Sequence, residues 1–314
     1  MMRLGICAAL DARTTVHARS FLRGVFLSSV LFERVRLARH LYFNDRASAD
    51  GGREAARTFI DAGVDAVIGH FASESAAAVV DRYAAAGIPL ILPASTCAAL
   101  TEDGSTAFRI CASDRVLAAH LLTFAESQGL RRLALFADAS LHGQRQRVEL
   151  QQATGTSVRI VEDAAQADAL VFCGRLHTSR EFLLRQRAEG NDKPLLFTDD
   201  AASPTLVSGV QRIGTVFIIS FPVAGDLPEA GHVDRLYQQI YGERAPVYAL
   251  ETMAAFSLVH SAGARPHSLL DALREQSFDT PAGAIRFASG ENQRARVSLW
   301  VYDDNNAYER RLLC

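Results

Sequence analysis

The sequence predicts an α/β protein made of two doubly wound, mostly parallel sheets, each covered by helices on both faces. Three observations predict it. Short apolar runs alternate with runs of helical period from end to end, which is the pattern of βα units and of a buried parallel sheet. The alternation falls into two series that part near Cys111–Ser113. The chain has 314 residues, enough for about two domains at ~150 residues each. No long Pro/Gly/Ser tract separates the series, so short crossings are expected to join them, not a flexible tether.

The elements follow in order. Arg3–Ala8 reads as a first buried strand and His40–Phe43 as a second, closed by Asn44, Asp45 and Arg46. Gly52–Ala62 reads as a helix with Ala55, Phe59 and Ala62 on one face and Gly63 as its stop. Asp65–Gly69 is a strand. Ser73–Ala86 is a helix with Val79, Val80 and Tyr83 inward, ended by Gly87. Ile88–Leu92 is a strand ended by Pro93. In the second series Asp114 caps a helix running to Gly129, and Leu133–Phe136 is a strand. A helix then runs from Gly143 to Gly155, followed by strands Val158–Val161 and Ala169–Phe172. Thr178 opens a helix that ends near Gly190, and Leu195–Phe197 and Thr215–Ser220 are strands. Three helices come next, His232–Tyr241, Tyr248–Ala262 and Ser268–Gln276. Ala284–Phe287 and Arg296–Tyr302 read as a closing hairpin turned by Ser289–Asn292.

Composition excludes several classes. The apolar share is 49% and the charged share 22%, with 33 Lys+Arg against 35 Asp+Glu for a net charge of −2. That is a globular chain, not a disordered one, and the balance argues against broad binding to a nucleic-acid backbone. Lys193 is the sole lysine, a bias that reads as coding composition. No apolar stretch approaches the ~20 residues of a membrane-spanning helix. Leu4–Leu10 is apolar but Asp11 and Arg13 follow at once, so it reads as a strand, not a signal peptide. The expectation from the sequence as written is therefore a cytoplasmic chain, or a periplasmic one if this is a mature or trimmed form. Cys7, Cys97, Cys111, Cys173 and Cys314 show no paired spacing. They form neither a disulfide framework nor a CxxC metal site, and read as small buried hydrophobes.

Catalytic and cofactor motifs are absent: there is no Walker loop, GxGxxG, HExxH or GxSxG. The nine histidines, His17, His40, His70, His120, His142, His177, His232, His260 and His267, make no i,i+4 pair and read as surface or packing residues. No cofactor, no metal and no enzyme activity is expected. Asp199–Asp200 ends a strand and either binds a cation or metal or caps the helix that follows.

Ligands of open α/β sheets bind at the carboxyl ends of strands. Three such ends are rich in small polar residues: Val67–Ser75, Leu90–Thr96 and Leu195–Asp200. Ser73 and Thr96 stand where a strand turns into a helix. Their hydroxyls and the free N–H groups of a helix start suit a carboxylate, with Asp199 of the other series as counter-ion for an ammonium. The plain alternative is that Ser73 and Ser95 are N-caps.

These residues carry a family resemblance. Val64–Asp114, with its VIGHFAS and IPLILPAST strand ends and the Phe108-Arg109 pair, resembles the first lobe of the leucine/isoleucine/valine-binding protein family, the type I periplasmic binding protein fold. Ala169–Asp200 and Phe278–Asp303, with its FDTPAG segment, resemble later parts of the same family in the same order. The resemblance implies two lobes joined by three crossings: 1–112 and 223–281 in the first, 113–222 in the second, and 282–314 as a hairpin and tail mostly of the second. Hinges are implied at Cys111–Ser113, Phe221–Gly225 and Thr280–Gly283. By position it implies Ser73, Ala94, Ser95 and Thr96 around a ligand carboxylate and Asp199 at the ammonium.

His142-Gly143 stands where the family has Tyr-Gly, and Arg175 where it often has an aromatic residue. The first crossing, Val16–Ala38, is short and lacks the family's Gly-rich turn. The two polar replacements suit a more polar ligand, or mark a lost site. The function implied is non-catalytic binding of a small amino acid, polar carboxylate or amide with hinge closure. The chain would then be the solute-binding part of an ABC transporter, acting on a permease. The alternative is a cytoplasmic ligand sensor acting on a regulatory protein partner.

Overall fold

The computed structural model describes residues 1–11, 15, 17–102, 104–153, 155–262, 268–304 and 309–313. The expectations for His267, Cys314 and the start of the Val16–Ala38 crossing fall on residues outside these. Contacts divide the chain into two compact units, Met1–Ala112 with Val223–Ala295 and Ser113–Pro222 with Arg296–Cys314, so the chain changes unit three times.

In the first unit β1 (Arg3–Ala8), β2 (Arg39–Asn44), β3 (Ala66–Ile68), β4 (Leu90–Leu92) and β5 (Ala107–Arg109) pair in parallel in the order β2-β1-β3-β4-β5. Successive side chains of a strand face opposite sides, and β1 uses both. Leu4, Ile6 and Ala8 join a core with Phe21 and Val25 of α1 (His17–Leu31) and Phe256 and Leu258 of α10 (Ala249–Ala262). Cys7 joins a second core with Phe59 of α3 (Ala49–Asp61) and Tyr83 of α5 (Val80–Ala85). Two covered faces explain why the strand reads as one apolar run.

In the second unit β6 (Arg132–Ala137), β7 (Arg159–Val161), β8 (Ala169–Cys173), β9 (Leu195–Phe197) and β10 (Val216–Ser220) repeat that order as β7-β6-β8-β9-β10. Helix α6 (Asp114–Ser127) leads into β6, α7 (Leu141–Gln152) joins β6 to β7, and α8 (Leu176–Ala188) joins β8 to β9. Phe136, Phe172 and Phe197 of the sheet pack on Phe182 of α8, the closest pair of rings 4.6 Å apart. The glycines read as helix stops at 63, 87, 129 and 190 all have positive φ, the left-handed conformation that ends a helix.

Three expectations are corrected. The helix expected over Ser73–Ala86 is two short ones, α4 (Ser73–Ala77) and α5, because Val79 leaves helical geometry at φ −140° and ψ −8° while staying buried beside Tyr83. The closing hairpin does not form between the expected strands. Ser289 and Gly290, with φ 45° and 75°, turn the chain as a tight hairpin turn requires. Its second arm, however, is only β13 (Glu291–Asn292), which pairs β12 (Gly283–Ala288) on one side and β5 on the other. With β11 (Ser277–Thr280) these strands extend the first sheet. Val297–Tyr302 is β14, antiparallel to β10 and to β15 (Glu309–Leu313) in the second sheet. Residues 282–295 thus lie in the first unit, and the third change of unit comes at Ala295–Arg296 rather than at Thr280–Gly283.

Candidate functional site

In both sheets the strand order reverses once, between β1 and β3 and between β6 and β8. The crevice at such a switch point, outside the carboxyl ends of the strands, is where open α/β sheets bind ligands. The backbones close in there. Gly69, after β3, has φ 112°, and a Cβ on it would stand 1.9 Å from the Cys7 carbonyl oxygen.

The expected residues of the first unit gather in two neighbouring loops. Ser73 is the first residue of α4, not its cap, and its hydroxyl accepts the Cys97 N–H at 3.4 Å. Ser95 is fully buried, and its hydroxyl donates to the carbonyls of His70 at 2.7 Å and Phe71 at 3.1 Å. It fastens one loop to the other and caps no helix. Ala94 and Thr96 are also buried. The backbone N–H groups of Ala94, Ser95 and Thr96, and the Thr96 hydroxyl, have no hydrogen-bond partner among the described residues. Buried N–H groups are rarely left unpaired. Three in a row, beside the Ser73 and Thr96 hydroxyls, are donors of the kind an anionic group can accept from.

Arg109 holds this loop. The side chain at the end of β5 is fully buried. Its guanidinium donates to the Ser95 carbonyl at 2.5 Å, the Ala98 carbonyl at 3.2 Å and the Thr101 hydroxyl at 3.2 Å. Nε and Nη2 both reach the Glu291 carboxylate, at 2.9–3.2 Å. All three nitrogens donate, as the planar guanidinium allows and an ammonium would not.

The second unit has the other expected residues. Asp199 is buried in a short 3₁₀ turn, Asp199–Ala201, just after β9, and so is Asp200. The Gln146 amide of α7 donates to Asp199 Oδ1 and, at 3.3 Å, to Asp114 Oδ1. His142 Nε2 lies 3.7 Å from Asp199 Oδ1, and no hydrogen bond reaches it among the described residues. Burial, and then the Arg175 charge, push the His142 imidazole below its ordinary pKa, so it is neutral at pH 7. Arg175 is half-buried with Nη1 3.8 Å from Asp200 Oδ2.

Asp138, which sequence reasoning did not single out, organises this region. Its carboxylate accepts the Ser140 hydroxyl, the Ser140 N–H at 3.0 Å, the Arg175 N–H at 2.8 Å and the Thr178 hydroxyl at 2.7 Å. Burial works to raise this carboxyl, but the hydrogen bonds outweigh it and hold it below the usual range. A Cβ at Gly143 or Gly174 would come within 2.5 Å of an Asp138 oxygen, so glycine is needed at both. The D-x-S spacing after a strand was the available signal. Asp138→Ala should destabilise the second unit by about 2 kcal/mol, since it takes this acceptor from the Ser140 and Arg175 N–H groups that lead into α7 and α8. Denaturant unfolding followed by the fluorescence of Trp300, the chain's one tryptophan, reads this, and an unchanged midpoint would contradict it.

The structure thus brings Ser73, Ala94, Ser95 and Thr96 together in one unit and His142, Arg175 and Asp199 in the other. Residues 40–163 match the sequence model of the periplasmic binding protein family. Solved structures similar to the chain include a leucine-binding protein from Thermotoga maritima, 17% identical with a TM-score of 0.84 over 99% of this chain and 98% of that one. An ABC transporter substrate-binding protein from Desulfitobacterium hafniense in complex with leucine is 20% identical, with a TM-score of 0.81 over 99% of both chains. A branched-chain amino acid transporter substrate-binding protein from Streptococcus pneumoniae in complex with isoleucine is 17% identical, with a TM-score of 0.83 over 100% and 99%. A comparison with curated protein sequences found no match. The chain has the type I periplasmic-binding-protein fold over nearly its whole length, and the family's own sequence model is matched within it over residues 40–163.

Proposed function

We propose that the protein is a non-catalytic solute-binding protein for a small amino acid or a related polar carboxylate or amide, serving as the binding component of an ABC transporter. The observation that carries this reading is the row of unpartnered donors at 94–96 beside the Ser73 and Thr96 hydroxyls. A ligand carboxylate accepting those N–H groups removes the cost of leaving them unpaired. Asp199 is assigned the ligand ammonium, as a charge-assisted hydrogen bond. The neighbours that hold leucine and isoleucine support the ligand class, and their place in transporters supports a membrane permease as partner.

The second unit makes the preference finer. His142, neutral with an unpaired Nε2, and the Arg175 guanidinium stand beside Asp199 and Asp200. Such groups hydrogen-bond a polar, amide or acidic side chain and leave an aliphatic one unmatched. Isothermal titration against the twenty amino acids, simple amides and the corresponding amine-free acids should give heat with at least one polar amino acid or amide and less with leucine. No heat from any of them rejects the reading. Asp199→Asn should weaken an amine-bearing ligand by about 100-fold or more. Unchanged affinity removes Asp199 from the site.

A further inference from the structure

Three side chains at the switch point of the first sheet take no part in ligand binding as read above. Cys7 is near the end of β1, Asp45 follows β2 and His70 follows β3, and all three are fully buried. Cys7 Sγ lies 3.4 Å from His70 Nδ1 and 3.5 Å from Asp45 Oδ2, and the latter two are 3.1 Å apart. A thiolate, an imidazole and a carboxylate on one tetrahedral zinc ion must stand about 3.3–3.5 Å apart, given metal–ligand bonds of ~2.3 Å to sulfur and ~2.0 Å to nitrogen or oxygen. The three atoms therefore outline one face of such a tetrahedron to within a few tenths of an ångström.

The shell around them orients each ligand. Asp45 Oδ1 accepts the Ala47 N–H at 2.9 Å, which turns Oδ2 toward Cys7 and His70. The Tyr83 hydroxyl is 2.9 Å from His70 Nε2. In the tautomer with its hydrogen on Nε2, donated to that phenol, the Nδ1 lone pair would face the thiol and the carboxylate, the usual outer-shell device at metal-bound histidine. The Ser75 hydroxyl, 2.7 Å from both His70 Nδ1 and Asp45 Oδ2, is the nearest further oxygen. Charge agrees with this. A thiolate, a carboxylate and a neutral imidazole balance a divalent cation, so no net charge is buried.

We propose that Cys7, Asp45 and His70 form a buried structural site for a thiophilic divalent cation of the zinc class. The ion would tie the carboxyl ends of β1, β2 and β3 to one another beneath the 69–75 loop. Loading breaks the Cys7 S–H bond and forms a metal–sulfur bond, and the proton leaves to solvent. Because the cation displaces that proton, uptake strengthens as pH rises. Mixed sulfur, nitrogen and oxygen donors select zinc or cobalt(II) over magnesium or calcium.

Because the site is enclosed, the test loads it during folding. The full chain is unfolded in denaturant with reductant and refolded with cobalt(II) as the probe. A thiolate-to-cobalt absorption band at one ion per chain is expected, lost in Cys7→Ser and retained in each of Cys97→Ser, Cys111→Ser, Cys173→Ser and Cys314→Ser. Cys7→Ser should also weaken zinc at least about 100-fold in competition with a chelator. No thiolate band in the wild-type chain overturns the proposal, and so does a band that survives in Cys7→Ser. Should Cys7→Ser fail to fold, the other four variants still decide, since loss of the band in one of them assigns the thiolate elsewhere.

Discussion

Arg109→Met should lower the stability of the first unit by about 3 kcal/mol and weaken ligand binding at least tenfold. Arg109 has no exposed side-chain surface, while its partner Glu291 is 31% exposed. Removing the guanidinium strands the Ser95 and Ala98 carbonyls, which are left without these donors. Breaking a buried pair by deleting one partner costs about 3–5 kcal/mol, and the partial exposure of Glu291, which water can solvate, puts this case at the lower end. The binding loss follows because the Ser95 carbonyl belongs to the same peptide unit as the Thr96 N–H, one of the three free donors. Urea unfolding by circular dichroism and titration with the ligand read the two effects separately. Arg109→Lys should fall between, since it keeps the charge and loses the fork. A methionine variant with full stability and full affinity would show that the loop holds its shape unaided.

Glu251→Gln should stabilise the first unit by about 3 kcal/mol at pH 8 and by only about 1 kcal/mol at pH 5. Glu251 lies in the first turn of α10 and reaches back to the Tyr248 N–H, half of a capping box. It is buried, and Oε2 has no partner among the described residues. Burial raises its pKa from 4.5 to about 7, against backbone hydrogen bonds that lower it. The folded state therefore keeps a proton that the unfolded chain has lost between pH 4.5 and about 7. Where the folded state binds more protons, stability falls as pH rises. At ~1.4 kcal/mol per pKa unit, that gap amounts to about 3 kcal/mol, spent across the window and constant above it. Glutamine keeps the reach to Tyr248 without the charge. Unfolding free energies of both proteins at pH 5, 6, 7 and 8 should separate up to about pH 7 and then keep their separation, and a separation that does not change with pH would contradict the assignment.

Much of the architecture was legible in the chain itself. A buried parallel strand must be apolar on both faces, so Arg3–Ala8 and Ala169–Phe172 declared themselves. A helix that ends in the left-handed conformation favours glycine, so Gly63, Gly87, Gly129 and Gly190 marked real stops. Ser73, Ala94–Thr96 and Asp199 follow strands, and a strand end in a doubly wound sheet is where ligands bind. The reading of Cys7 as a small buried hydrophobe, and of His70 as a surface or packing residue, missed that both face the Asp45 carboxylate.

The difference is one of range. Periodicity, turn chemistry and helix stops act between residues a few positions apart, so the sequence by itself determined the elements, their two series and the loops that could bind a ligand. Register and pairing act across the chain, and only the tertiary structure decided them. Arg109 and Glu291 are separated by 182 positions, and they meet because two residues of β13 pair with β5 instead of continuing a hairpin. The same folding commits the Ser95 hydroxyl to two carbonyls and leaves three neighbouring N–H groups without a partner among the described residues. No composition or spacing distinguishes a hydroxyl that is used from an amide that is free, because that depends on which distant carbonyl the fold brings within 3 Å.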